Sequence, residues 1–197
     1  MALKKYKLSF TAASLSITAS VNIAEIYLNT KDWNLTKRQI KGENILQSRT
    51  GSRTTRLARE LVQRLERLND NQLEILVKGN SNEQKYLMWF AVCKTYELVK
   101  EFAVEVLHEK YLSRSLTLTD LDYDAFFNRK SDWNENLSNI TVSTRKKIRQ
   151  VMLLMLKEAG LLTNENQILR AMLSGRLREA LNSDAPMSFL IFPIESI

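Results

Sequence analysis

The sequence predicts a mainly α-helical protein, a compact multi-helix fold with a winged helix-turn-helix and a small β-hairpin in its C-terminal half. Three observations point there. Only five glycines and two prolines punctuate the 197 residues, and both prolines, Pro186 and Pro193, lie near the C terminus, so little interrupts long helices. Leu57, Leu61, Leu65 and Leu68 recur at spacings of four, four and three, one stripe of a helical period. After Gly160 the pattern changes to short apolar pieces separated by polar turn residues.

Taken in order, a first helix is expected over about 12–28, with Ala24, Ile26, Tyr27 and Leu28 facing inward. Residues 29–32 read as a turn, and Asp32 is placed to cap a helix carrying Trp33 and Ile40. The leucine-striped helix ends at Asn69-Asp70-Asn71, and a short helix over 72–77 stops at Gly79-Asn80. Ser81 with Gln84 three residues later fits a capping box. It opens a long central helix through Tyr86, Phe90, Cys93, Tyr96, Phe102 and Leu107, apolar on more than one face. Thr119 caps a helix through Tyr123, Phe126 and Phe127, and 131–139 is a polar loop. Ser143 or Thr144 caps a further helix to about Ala159, closed by Gly160. Beyond it, Leu161-Leu162 and 168–173 read as two extended pieces around a polar turn at 163–166. A short helix over 176–181 follows, and 189–193 reads as a third strand. Helix, loop, helix and hairpin in that order is the winged-helix outline. It divides the chain into an N-terminal helical subdomain, 1–110, and a C-terminal winged-helix-like one, 111–197.

Composition narrows the function classes. With 44% hydrophobic and 26% charged residues the chain can bury a real core. Its single cysteine, Cys93, rules out an intramolecular disulfide. The first residues lack an apolar core of signal-peptide length, and no run approaches the roughly 18 apolar residues of a membrane span, so a cytoplasmic protein with no membrane partner is expected. The net charge of +7 favours a polyanionic partner.

Where that charge sits is more telling. From Thr36 to Arg67 nine basic residues face three acidic ones, and seven of the nine are arginines. The guanidinium fork suits phosphate oxygens and guanine edges. Arg53, Arg56 and Arg59 step by three along one helix, while Arg49 and several hydroxyls surround its start, a candidate phosphate clamp. Read as a solvated face instead, Arg56 and Arg59 would meet Glu60 in exposed pairs worth about 0–1 kcal/mol. A second cluster, Arg145, Lys146, Lys147 and Arg149, crowds the first turns of its helix. Cations are unfavourable for the dipole there, and an outside anion would relieve them. In a winged helix this would be the recognition helix. The acidic residues gather elsewhere: Glu97, Glu101, Glu105 and Glu109 repeat every four residues, and Asp120, Asp122 and Asp124 follow. They read as a solvated face or as a docking face for a basic partner.

Chemistry is scarce by contrast. One histidine, His108, and one cysteine cannot build a zinc site of several His or Cys ligands, and no glycine-rich phosphate loop exists. Asp120-Leu121-Asp122-Tyr123-Asp124 resembles the start of a calcium loop but has Ala125 and Ser131 where glycine and glutamate belong. No catalytic residue, metal or cofactor is expected, and a metal-nuclease reading, open only because carboxylates are plentiful, stands last. Trp33, Trp89 and Trp133 read as core or interface anchors. Because the aromatics and basic clusters are largely separate, duplex is favoured over single-strand binding.

The residues also carry a resemblance. In order come 8–11 (LSFT), 24–28 (AEIYL), Asp32-Trp33, 43–50 (ENILQSRT), 89–96 (WFAVCKTY), 102–106 (FAVEV), 122–127 (DYDAFF), 143–151 (STRKKIRQV) and 158–162 (EAGLL). This series resembles the BrxA family, small accessory proteins of bacteriophage-exclusion (BREX) defence systems, over about the first 160 residues. The resemblance implies an all-helical or nearly all-helical cytoplasmic, non-enzymatic protein that binds double-stranded DNA and works beside other BREX subunits in phage restriction. Its likeness to the antitermination factor NusB keeps RNA as an alternative partner, and a protein-interaction scaffold for other BREX subunits, its basic zones meeting acidic surfaces, is the other alternative. It carries over no catalytic residue. The expected DNA contacts, Arg49, Arg53, Arg56, Arg59, Arg145, Lys146, Lys147 and Arg149, come from charge placement alone.

Overall fold

The computed structural model describes residues 5–42, 51–183 and 189–195, without the side chains of 42 and 51–54. A 3-10 turn at Ser9–Ala12 leads into α1 (Ile17–Thr30), α2 (Trp33–Gly42), α3 (Gly51–Leu65), α4 (Asp70–Lys78) and α5 (Ser81–Thr95). Then follow α6 (Glu97–Phe102), a π-helical segment (Ala103–His108), α7 (Glu109–Leu112), α8 (Asp120–Ser131), α9 (Glu135–Ser138), α10 (Val142–Glu158) and α11 (Gly175–Asn182).

Side-chain caps set many of these boundaries. Asp32 Oδ1 accepts from the Asn34 and Leu35 N–H groups and starts α2 as expected. Asn69 with Gln72 forms a capping box on α4, and Thr119 with Asp122 one on α8. Two caps sit off the sequence reading. The box on α5 is Asn80 with Glu83, not Ser81 with Gln84, and α10 is capped by Thr141, not Ser143 or Thr144. Gly160 closes α10 at φ +70°, which glycine adopts without strain. The first helix begins later than expected, because 9–12 form a separate turn that buries Phe10.

The core is built around α5, where every residue from Tyr86 to Cys93 is buried. It packs against α1, α3, α4 and α10. The long central helix predicted through Leu107 breaks at Tyr96, whose backbone is extended and whose side chain is fully buried. Beyond it, the wider π turns shift the register and bring His108 inward, its Nδ1 2.8 Å from the Phe192 carbonyl oxygen.

The winged helix-turn-helix is not present among the described residues, and neither is a β-hairpin or any strand. Residues 161–173 do reverse direction, but they pair only through isolated bridges, Leu162 with Ile168 and Thr117 with Gln167. Leu161, Leu162, Ile168, Ala171 and Leu173 are drawn into the core, so the segment serves packing rather than a ladder. The expected third strand is a turn that buries Ile191, Phe192 and Ile194. Trp89 Nε1 donates to the Ile191 carbonyl at 2.9 Å and the Ala171 N–H to that of Pro193 at 3.0 Å. No helix of the described residues is long and apolar enough to cross a membrane.

Candidate nucleic-acid interface

The first basic stretch forms two adjacent faces, on α2 and α3. Its apolar residues turn inward: Ile40 from α2 and Leu61, Val62 and Leu65 from α3 are buried. What they leave outside is basic. Lys37, Arg38 and Lys41 of α2, Arg56 and Arg59 of α3 and Arg67 just beyond it are exposed. Between the two helices lies a groove of about 380 Å³ lined by Lys37, Ile40, Lys41, Thr55, Ala58, Arg59, Val62, Gln63 and Glu66. The helices run antiparallel along it. Lys37 meets Glu66 at 2.7 Å at one end, while Lys41 and Arg59 flank the other.

Of the acids near this face, Glu66 is taken by Lys37 and Glu60 is turned away from it. Glu60 is buried and accepts a hydrogen bond from the Tyr96 hydroxyl, so it is not the partner of Arg56 or Arg59. Burial and that carboxylate together push the Tyr96 phenol up to about 12. Lys41, Arg56 and Arg59 make no ion pair with any described residue. Of the expected contacts, Arg49 lies outside the described residues and Arg53 is described in its backbone alone. Arg64 is a different kind of arginine. It is fully buried, with Nη1 and Nη2 donating to the carbonyls of Ser14 and Ala13 at 2.5 and 3.0 Å. It belongs to the core and not to the basic face.

The second cluster divides by helical phase. Arg145 and Arg149 lie against α8. Arg145 Nη2 is 2.7 Å from Asp124 Oδ1 and its guanidinium lies over the Phe127 ring, while Arg149 Nη1 is 3.0 Å from Asp120 and lies near the Tyr123 ring. Lys146 and Lys147 point outward and are exposed, with Lys147 reaching Gln150 at 3.3 Å. The aspartates at the start of α8 are therefore ion-pair partners and caps, and Asp122 also holds Lys110 at 3.0 Å.

Three of the four glutamates in the row, Glu97, Glu101 and Glu105, are likewise engaged, while Glu109 is exposed. Lys130 bridges Glu101 and Glu105 at 2.8 and 2.5 Å, and Tyr6 donates to Glu101. Burial pulls Lys130 down, but its bonds to the two carboxylates outweigh this and hold its pKa above the ordinary value. Beside this network Trp133 is 77% exposed, against the expectation of a core or interface anchor. Trp89 is fully buried, and Trp33 stacks on Tyr27 at 4.0 Å. Cys93 is buried, and burial drives its thiol pKa well up. Among the described residues no group of three or more His, Cys, Asp or Glu could hold a metal ion.

The separation of Arg64 from Arg56 and Arg59 was visible in the sequence, since position 64 lies seven after Leu57 and three after Leu61, on the apolar side. Lys37 and Lys41 could be joined to the α3 arginines only through the helix pairing, which no local pattern records.

Comparison with known proteins agrees with this helical architecture. Over 96% of this chain and 98% of the other, the fold superposes with a TM-score of 0.82 on the crystal structure of an uncharacterized protein from Magnetospirillum magneticum, at 19% identity. A protein of Bacillus cereus (strain H3081.97) named BREX protein BrxA is 33% identical over 129 residues, 66% of this chain and 64% of the relative. One of the same name from Escherichia coli O9:H4 (strain HS) is 26% identical over 138 residues, 70% of this chain and 65% of the relative. The alignments thus span slightly under two thirds of each relative's own length. The BrxA family model matches residues 4–185, and the chain belongs to the BrxA family.

Proposed function

We propose that this chain is a non-enzymatic accessory protein of a BREX phage-defence system that binds double-stranded DNA. The observation that carries the reading is that Lys41 and Arg59 face one groove from neighbouring helices, with Arg56 exposed on α3 beside it, while Glu60 is turned into the core. Lys146 and Lys147 are the members of the second cluster left free to add contacts. Phosphate contacts of this kind give affinity with little sequence discrimination and steep salt dependence. The names of the two relatives support the BREX role.

The test is fluorescence anisotropy with a labelled duplex, the matching single strand and a structured RNA hairpin at about 150 mM salt. Wild-type protein is expected to prefer the duplex. Arg56→Glu/Arg59→Glu should weaken it at least about tenfold and Lys146→Glu/Lys147→Glu by less, with helical circular dichroism retained in both. A wild-type protein that binds no nucleic acid, or an Arg56→Glu/Arg59→Glu variant that binds like wild type, overturns the reading. Preference for the RNA hairpin puts a NusB-like role in its place.

A further inference from the structure

We infer that the groove between α2 and α3 is a docking site for an acidic amphipathic helix of a partner protein, and that this helix and DNA exclude one another there. The docking stands on the groove itself, whereas the exclusion rests on the DNA reading above.

The floor is the telling part. Ile40 and Val62 close the floor of the groove and Ala58 is half-buried in its wall, and although six of the nine lining residues are polar or charged, the surface open inside it is more apolar than polar. A phosphodiester backbone is hydrophilic along its whole length and gains nothing from such a floor. An amphipathic helix places side chains at i, i+3, i+4 and i+7 into a groove of this form, and about 380 Å³ lies in the range of cavities that take side chains or small ligands.

The rim then sets the sign of the partner. Lys41 and Arg59 flank one end with no described acid against them, while Lys37 at the other end is neutralised by Glu66. An occupant with an apolar stripe and carboxylates beside it, concentrated towards the Lys41 end, is complementary at both levels. A basic helix would meet Lys41 and Arg59 unfavourably, and an uncharged one would leave them unanswered. Because the same cations serve the DNA reading, occupancy by the partner would lower DNA affinity.

The experiment uses the full chain at about 150 mM salt and a labelled helical peptide of about 18 residues, with leucines at the four anchor spacings and glutamates elsewhere. A control peptide carries glutamine for every leucine at the same charge. The leucine peptide is expected to bind at least about tenfold more tightly than the control and to displace labelled duplex. Ala58→Phe, which fills the groove, and Lys41→Glu, which reverses one rim charge, should each weaken it at least about tenfold. Equal binding of the two peptides, or no peptide binding up to about 100 µM, overturns the docking. Simultaneous binding of peptide and duplex overturns the exclusion. Peptide binding lost in Ala58→Phe, in a protein that binds no duplex, sustains the docking and removes the DNA reading.

Discussion

Two residues show how neighbouring side chains of one type can have opposite fates. Arg56 and Arg64 lie on the same helix, yet one is exposed and the other spends its donors on two loop carbonyls beneath α3. Lysine cannot make that forked contact. Arg64→Lys should therefore cost about 1.5–3 kcal/mol in urea unfolding, while Arg56→Lys stays within about 0.5 kcal/mol. Glu83 is the other case. It is almost fully buried, caps α5 through the Asn80 N–H, and pairs with Arg176 and Ser174 at the start of α11. Arg176 first, outweighing burial, and then the Ser174 and Asn80 bonds hold its carboxyl at about 2. A carboxyl depressed in the folded state contributes stability above its unfolded pKa, near 4.5, and loses it as the pH falls towards 2. Arg176 is half-exposed and solvent weakens its share, so Glu83→Gln should cost about 1–3 kcal/mol at pH 7. The variant should also lose less stability than wild type between pH 5 and about 2, as read by urea titrations across that range. The sequence showed the capping pattern but put it one residue late, because Asn80 with Glu83 and Ser81 with Gln84 fit the same spacing. Nothing local revealed that Glu83 also reaches a helix more than ninety residues away.

At the scale of elements, the helices were legible because period and caps are local signals: Gly160 marked the end of α10 closely, while the leucine stripe carried α3 to Leu68, three residues past its end at Leu65. The C-terminal segment was not. Short apolar pieces with turns between them satisfy a hairpin and a core-filling loop equally well. What decides is whether a strand ladder or the core offers the better partners. Here Trp89 and His108 supply side-chain partners to the Ile191 and Phe192 carbonyls, and the apolar side chains fill space beside α5. The turn at 189–195 therefore behaves as a plug. Phe192 is fully buried and meets Tyr86 edge to face at 5.7 Å. Phe192→Ala should cost about 3–5 kcal/mol in urea unfolding and shift Trp89 emission to the red as its surroundings open to water. Unchanged stability and emission would mean that the plug is not part of the cooperative unit.

For the whole molecule, the positive excess matters less than how the acids are distributed against it. Glu101 and Glu105 of the glutamate row are occupied by Lys130 and Arg129, and Asp120 and Asp124 by Arg149 and Arg145. Arg38, Lys41, Arg56, Arg59 and Arg67, on or beside the α2/α3 face, and Lys146 and Lys147 on α10 are the largest groups among the cations without a described ion-pair partner; Lys5, Lys7 and Lys85 are scattered elsewhere. This turns the DNA reading into a counting experiment. Counterion release ties the slope of log K against log salt to the number of phosphates neutralised, at about −0.9 per phosphate on duplex DNA. Lys41, Arg56, Arg59, Lys146 and Lys147 acting together predict a slope of about −4 to −5. Arg56→Glu/Arg59→Glu should flatten it by about two, and Lys146→Glu/Lys147→Glu by as much only if both helices face the same duplex. A wild-type slope near −6 or steeper would bring in further cations, either Arg38 and Arg67 beside the same face or Arg145 and Arg149 released from their aspartates. A slope near zero would leave the charge of this chain to some other partner.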